Sequence, residues 1–231
     1  MEFAYCRLTA IERFREQLDF VDTTKGLFRA AFAIALHERP EASLVEVETV
    51  IENLADTVNS RVQSRSDEAL LAHLHDVLFE VFGLHGAGLR GSGEDYYSPA
   101  NSYLPDVLRT KQGLPIVLVL VYKCVAERLG FSVYGVNSPG HFLAEIEIGG
   151  ESNFIDPFFA GSLLNRDEIA QRIQQATGME ICPNASLLGR ATHQQWLARM
   201  LNNLQAAFAR LGQDRDVLAM QELQSLLVKP A

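Results

Sequence analysis

Two side chains in the middle of the sequence could act together as a general base. His141 begins a segment of alternating apolar residues, and Asp156 ends the segment that follows it. The pair Gly149–Gly150 between these segments is typical of a two-residue β-hairpin turn. Such a turn pairs Ile148 with Glu151 and places His141 and Asp156 on one face, whereas a three-residue loop would separate them. A histidine oriented by a carboxylate can act in acid–base catalysis, and it can equally be a structural hydrogen-bonded pair.

A nucleophile for such a pair would most simply be a cysteine, and the chain has three: Cys6, Cys124 and Cys182. Their odd number and wide spacing are typical of a reducing cytoplasm rather than of a disulfide framework. Cys124 lies in an apolar helical run, where a free cysteine is usually a small core residue. Cys182 follows a predicted helix in a loop from which it could approach the histidine.

The elements around the pair predict an α+β fold. Residues 8–82 have a helical pattern, in which Ser43 and Glu46 fit a capping box. Residues 84–105 are rich in Gly, Ser, Asn and Pro but contain three tyrosines, so this loop should pack on the fold. The later elements follow in order: a helix over 116–129 that is apolar almost all round and ends at Gly130, strands over 132–137, 141–148 and 151–156, and helices over 165–176, 192–211 and 214–228.

Three regions follow from this pattern: a helical N-terminal region over 1–100, a core over 101–190 in which a central helix packs on an antiparallel sheet, and a C-terminal helical hairpin over 191–231. We expect them to form one compact unit. The apolar faces of the last two helices could cap the central helix against solvent, or they could form a groove for a partner peptide.

Four short motifs resemble the bacterial SirB-type transglutaminase-like family. They are N-S-Y-L-x-x-V-L (101–108), G-L-P (113–115), G-V-N-x-P-G-H-F (135–142) and F-I-D-P-F (154–158). The resemblance extends over about residues 26–228. It implies a papain-like or transglutaminase-like core with the helical N-terminal region before it, and a C-terminal pair similar to one tetratricopeptide unit.

The resemblance also implies a triad from which one member is missing. In active relatives a cysteine begins the core helix about fifteen residues before its closing glycine, and counting back from Gly130 reaches Pro115. His141 falls on the catalytic histidine and Asp156 on the catalytic aspartate. Pro115 suits the first turn of a helix, but it has neither a thiol nor a backbone N–H. Cys124 lies nine residues along the helix, roughly 13 Å away at about 1.5 Å per residue.

Two functions therefore remain open. The first is a non-catalytic binding or regulatory module, with Asn101, Gly113, Asn137 and Gly140 as candidates for the lining of its cleft. It would bind a protein or peptide partner through this cleft or through the C-terminal helices. The second is a hydrolase or acyl transferase in which His141 and Asp156 act by another route.

Composition argues against several other classes. The net charge of −9 does not suit a nucleic-acid or anionic-membrane surface. No run of about 18 uncharged apolar residues predicts a membrane span, and the early charges at the N-terminus predict no signal peptide, so we expect a cytoplasmic protein. His73 and His75 lie two apart on a helix, and the other histidines lack ligand spacing, so we predict no metal. The glycine-rich 83–93 segment lacks G-K-[ST], and we predict no nucleotide or other cofactor.

Overall fold

The structure, a computed structural model, describes residues 3–63, 66–89, 96–178 and 187–228. Its α-helices are α1 (Leu8–Leu18), α2 (Thr24–Ala35), α3 (Leu44–Arg61), α4 (Asp67–His75), α5 (Leu104–Thr110), α6 (Pro115–Arg128), α7 (Arg166–Thr177), α8 (His193–Arg210) and α9 (Asp214–Ser225). Its strands are β1 (His85–Gly86), β2 (Gln112–Gly113), β3 (Ser132–Val136), β4 (Leu143–Ile148), β5 (Glu151–Asp156) and β6 (Ser162–Leu164). Short 3₁₀ turns span Pro99–Ser102 and Pro157–Phe159.

The antiparallel sheet has the strand order β3-β4-β5-β6. Ile148 lies opposite Glu151, so the predicted two-residue hairpin is confirmed. Gly149 and Gly150 both have positive φ angles, 58° and 85°, which a two-residue hairpin turn of this hand requires and which glycine adopts without steric cost. The register of the hairpin brings the start of β4 beside the end of β5.

Helix α6 is the centre of the molecule. Every residue from Pro115 to Ala126 is buried, as expected for a helix that is apolar all round. It packs on β3 and β4 and is also contacted by α2, α3, α5 and α8. The predicted α+β fold, with a central helix on an antiparallel sheet, is confirmed. Gly135 in β3 allows a close approach of this layer to α8, because a Cβ there would lie 2.3 Å from the ring of Trp196.

The predicted helix up to Phe82 is only partly correct. The α-helix ends at His75 and continues as a π-helical turn over Asp76–Val81, closed by the Phe82 N–H, which donates to the Val77 carbonyl at 2.9 Å. An inserted π turn shifts the helical phase by one residue, and the hydrophobic period alone does not reveal it. The predicted cap of α3 is present in part, because the Ser43 side chain accepts from the Glu46 N–H.

The apolar faces of α8 and α9 are largely used within the fold. Trp196, Leu204 and Phe208 on α8 and Leu223 on α9 are buried, and the Trp196 indole N–H donates to the Ile116 carbonyl of α6 at 3.2 Å. The interpretation of these helices as a cap over the central helix is confirmed for this face. One hydrophobic cluster contains residues from all three predicted regions, from Cys6 to Leu223.

Burial of His75 should make the fold sensitive to acid. Its Nε2 lies 3.0 Å from the Tyr122 hydroxyl, and burial lowers its pKa to about 4. The neutral ring is therefore favoured in the native state, and the stability that this gives is present above the unfolded pKa of about 6.5 and lost towards pH 4. Between pH 7 and pH 5, urea unfolding of the wild type should lose about 2 kcal/mol more than that of H75Q. An equal loss in both proteins would show that His75 does not carry this dependence.

Candidate functional site

His141 and Asp156 form a buried pair at the end of the hairpin. Nε2 of His141 lies 3.0 Å from both carboxylate oxygens of Asp156. His141 is 6% exposed and Asp156 is fully buried. Since the carboxylate faces Nε2, the proton of the neutral imidazole belongs on that nitrogen, and Nδ1 keeps its lone pair. Nδ1 has no hydrogen-bond partner among the described residues, so it is the nitrogen that could accept a proton.

Local structure after β5 holds the carboxylate in place. The chain turns at Pro157 into a 3₁₀ turn, and the Phe158 N–H donates to Asp156 Oδ1 at 3.1 Å. Arg172 reaches from α7, where its Nε lies 3.3 Å from Asp156 Oδ2 and its guanidinium lies 3.8 Å from the centre of the Phe159 ring. The buried negative charge is thus compensated by the N–H groups of Phe158 and His141 and by the cation of Arg172.

Pro115 is the first residue of α6 and faces the same space as His141. Leu114 is the N-cap residue, with extended backbone, and its N–H donates to the Asn101 carbonyl at 2.9 Å. Pro115 and His141 border one cavity of about 520 Å³. Its other walls are largely aromatic and come from Tyr96, Tyr97, Phe158 and Phe159, with Arg172 and Gln175 on α7.

A smaller cavity of about 120 Å³ is also bordered by Pro115. The two cavities share Tyr96, Tyr97, Pro115 and Gly140. The smaller one is completed by groups that include Ser102, Ile116, Phe142, Arg199 and Asn203. We call the two cavities together the Pro115 groove. The first residue of α6, Pro115, borders both of its cavities.

The four candidates for the lining of the cleft lie in different places. Gly140 borders both cavities. The other three are not among the bordering residues but contact residues near the groove. The buried Asn101 side chain donates to the Tyr96 carbonyl at 3.2 Å, and Gly113 pairs with Gly86. The exposed Asn137 accepts from Arg199. Of the four candidates, only Gly140 therefore borders the cavities.

The two cysteines among the described residues, Cys6 and Cys124, are free and buried. Cys124 is 2% exposed, and burial raises its pKa to about 12. Burial, with a contribution from the charge of Glu222, also raises the pKa of Cys6 to about 12. Thiols of this kind are protonated at neutral pH and are poor nucleophiles. Cys182 lies outside the described residues.

Several residues of the groove were not identified from the sequence. Arg172 and Arg199 lie on helices that were predicted, but a single arginine on an amphipathic helix has no local signal of a site. Phe158 and the tyrosines at 96 and 97 did have a signal, because they belong to the F-I-D-P-F motif and to the loop that was expected to pack on the fold. Phe159 directly follows that motif.

The described part of the chain contains no group of three His, Cys, Asp or Glu side chains arranged for a metal ion. Within the same residues, no helix is long and apolar enough to cross a bilayer. His85 and His193 instead bond backbone carbonyls, of Gly83 at 3.0 Å and of Val21 at 2.7 Å. These histidines are therefore held by the scaffold.

Curated relatives are similar to this chain over 46% to 81% of its length. A UPF0162 protein of Xylella fastidiosa (strain 9a5c) is 32% identical over 192 residues, which are 81% of this chain and 66% of that protein. A UPF0162 protein of Haemophilus influenzae is 31% identical over 105 residues, 46% of this chain and 38% of that protein. The chain thus spans at most about two thirds of the length of these relatives. F-box only protein 21 of mouse is 31% identical over 141 residues, 58% of this chain and 22% of that protein.

No solved structure matches the chain. The comparison with protein families matches residues 45–202 to the transglutaminase-like superfamily. This range contains α6, the hairpin with His141 and Asp156, and Arg172 and Arg199, and it is more than half of the chain. The chain belongs to the transglutaminase-like superfamily.

Proposed function

We propose that this chain is a SirB-type transglutaminase-like protein that binds a peptide or protein partner in the Pro115 groove and performs no thiol chemistry there. The observation that carries the proposal is Pro115, which stands at the first position of α6 and borders the same cavity as His141. A thiolate at this place would be stabilised both by the helix dipole and by the neighbouring imidazole. Proline provides no nucleophile and no N–H for an oxyanion hole.

The shape of the groove supports binding of an extended chain. Its larger cavity of about 520 Å³ and its smaller cavity of about 120 Å³ meet at Pro115 and Gly140. Aromatic rings form much of the wall, and such rings provide apolar area and stacking for side chains of a bound peptide. The rigid first turn of α6 would form the floor under the middle of the ligand.

A second candidate function is hydrolysis with water activated by His141. The observation that favours it is the paired Nε2 and the unpartnered Nδ1 of a histidine that borders the cavity. In this function Asp156 would hold the ring and stabilise the imidazolium, and Nδ1 would take the proton of a water molecule.

We expect the wild type to show background rates in two assays, incorporation of a fluorescent amine into casein and hydrolysis of a fluorogenic peptide library. Removal of a triad nucleophile abolishes covalent catalysis, so iodoacetamide should not change either rate. C182A serves as the matched variant and should behave like the wild type.

Activity that iodoacetamide abolishes would contradict the proposal, and its loss in C182A would assign the thiol to Cys182. Hydrolysis that iodoacetamide does not affect, but that H141Q loses, would instead support the second function.

A further inference from the structure

We infer that the Pro115 groove binds a carboxylate of its peptide ligand, with Arg199 as the anchor. The inference rests on the proposed function, because it names the chemistry of the ligand of that same groove. The carboxylate could belong to an acidic side chain or to the C-terminus of the peptide. Both sources present the same planar anion to a guanidinium.

The charged side chains in the described lining of the groove have the sign opposite to the net charge of the protein. The chain has 29 acidic and 20 basic residues, a net charge of −9. The described residues that border the two cavities nevertheless include Arg172, Arg199 and His141 and no Asp or Glu. A lining of this kind attracts an anion at a place where the overall charge would repel one.

Among the described residues, Arg199 is held in place without a negative partner. Its guanidinium donates to the Asn137 side-chain carbonyl and, at 2.8 Å, to the Ser138 carbonyl, and it lies 5.4 Å from the centre of the Phe142 ring. In the part of the chain that the structure describes, no carboxylate lies within ion-pair distance of it. Burial lowers the pKa of Arg199 below its usual value, because the cation is less well solvated there.

The other arginines in similar surroundings do have such partners. Four arginines of the described residues are neither exposed nor fully buried. Arg29 pairs with Glu48 at 2.8 Å, Arg39 with Asp106 at 2.9 Å and Arg172 with Asp156 at 3.3 Å. Arg199 is the fourth. A partly buried cation is unfavourable when it is unpaired, so an anionic ligand would complete its environment.

The dimensions of the groove suggest where the rest of the ligand lies. The cavity beside Arg199, of about 120 Å³, has room for a carboxylate and a few further atoms. The adjoining cavity of about 520 Å³ has aromatic walls and can take the flanking part of a peptide. Arg172 already binds Asp156, so the anchor is assigned to Arg199 alone.

Binding of three heptapeptide pools, each carrying a neutral fluorophore, tests the inference by fluorescence polarisation. The first pool contains glutamate and has an amidated C-terminus, the second contains glutamine and has a free C-terminal carboxylate, and the third contains glutamine and is amidated. A charge-assisted hydrogen bond contributes about 1.5–3 kcal/mol, so at least one charged pool should bind about 10–100-fold tighter than the neutral pool. The tighter charged pool identifies the source of the carboxylate.

The preference for a charged pool should fall to below about twofold in R199Q, because the loss of the guanidinium removes the charge-assisted contact. R215Q removes the same charge from an exposed position on α9 and should keep the preference. If R199Q does not fold, R199K is used, in which the loss of the planar guanidinium should reduce the preference at least about threefold. Equal binding of all pools, absence of binding, or a preference that persists in the Arg199 variant would overturn the inference.

Mass spectrometry of the peptides after incubation separates this inference from the proposed function. The peptides could be cleaved or cross-linked in an iodoacetamide-sensitive way and still show a preference that depends on Arg199. This result would overturn the non-catalytic function but not the role of Arg199 in binding the carboxylate. Intact peptides without a preference would overturn the anchor and leave the non-catalytic function.

Discussion

P115C should create a thiol that iodoacetamide alkylates at pH 5.5 about tenfold faster than a free cysteine. A free thiol with a pKa of about 8.5 is only about 0.1% thiolate at this pH. The dipole of α6 and the imidazole of His141 should lower the pKa of the introduced thiol to about 6.5, which gives about 100 times more thiolate. The less basic thiolate is also a weaker nucleophile, and this reduces its alkylation rate by roughly eightfold.

Peptide mapping by mass spectrometry gives the rate at each cysteine separately. D214C is the matched control, because it places a thiol at the first position of α9, a helix of 12 residues against the 14 of α6, and not beside His141. The substitution P115C should change the stability little, since the first N–H of a helix has no intrahelical partner. A P115C thiol no faster than that of D214C would mean that His141 does not assist at the groove.

D156A should lower the free energy of unfolding by about 3–5 kcal/mol, the usual effect of breaking a buried ion pair. Asp156 is fully buried and accepts from the Phe158 N–H, while His141 and Arg172 both contact its oxygens. Alanine leaves these groups without their acceptor in a buried place. D156N keeps an acceptor for Phe158 and should be less destabilising than D156A.

Urea unfolding at pH 7 measures these differences. D76A removes the acid of the ion pair between Arg61 and Asp76, whose side chains are 37% and 50% exposed, and should cost at most about 1 kcal/mol. If D156A lowers the free energy of unfolding no more than D76A does, the buried contacts of Asp156 do not stabilise the fold as we expect.

The pairing of His141 with Asp156 could be predicted because it depends on local features. In a short hairpin, the length of the loop decides whether two given residues lie on the same face of the sheet. The glycines at 149 and 150 select the two-residue turn, which places His141 and Asp156 on one face. The central helix could be predicted for a similar reason, since a segment that is apolar on all sides must be buried. These two elements already bring the start of α6 and the His–Asp pair together.

The rest of the groove depends on contacts between distant parts of the chain. Arg172 and Arg199 enter it from α7 and α8, whose positions are set by the packing of whole helices on the sheet and on α6. Strands β1, β2 and β6 have only two or three residues and are defined by their partners rather than by their own pattern. Tertiary context of this kind leaves no periodic signal in one sequence.

We propose that the groove is a transglutaminase-like site that lacks only its thiol. The most direct measurement is the pH dependence of alkylation at position 115 in P115C and in P115C/H141Q. If His141 faces this position, the midpoint for P115C should lie at least about one pH unit below that of the double variant, since an adjacent imidazolium stabilises the thiolate. Identical midpoints in the two proteins would contradict the claim.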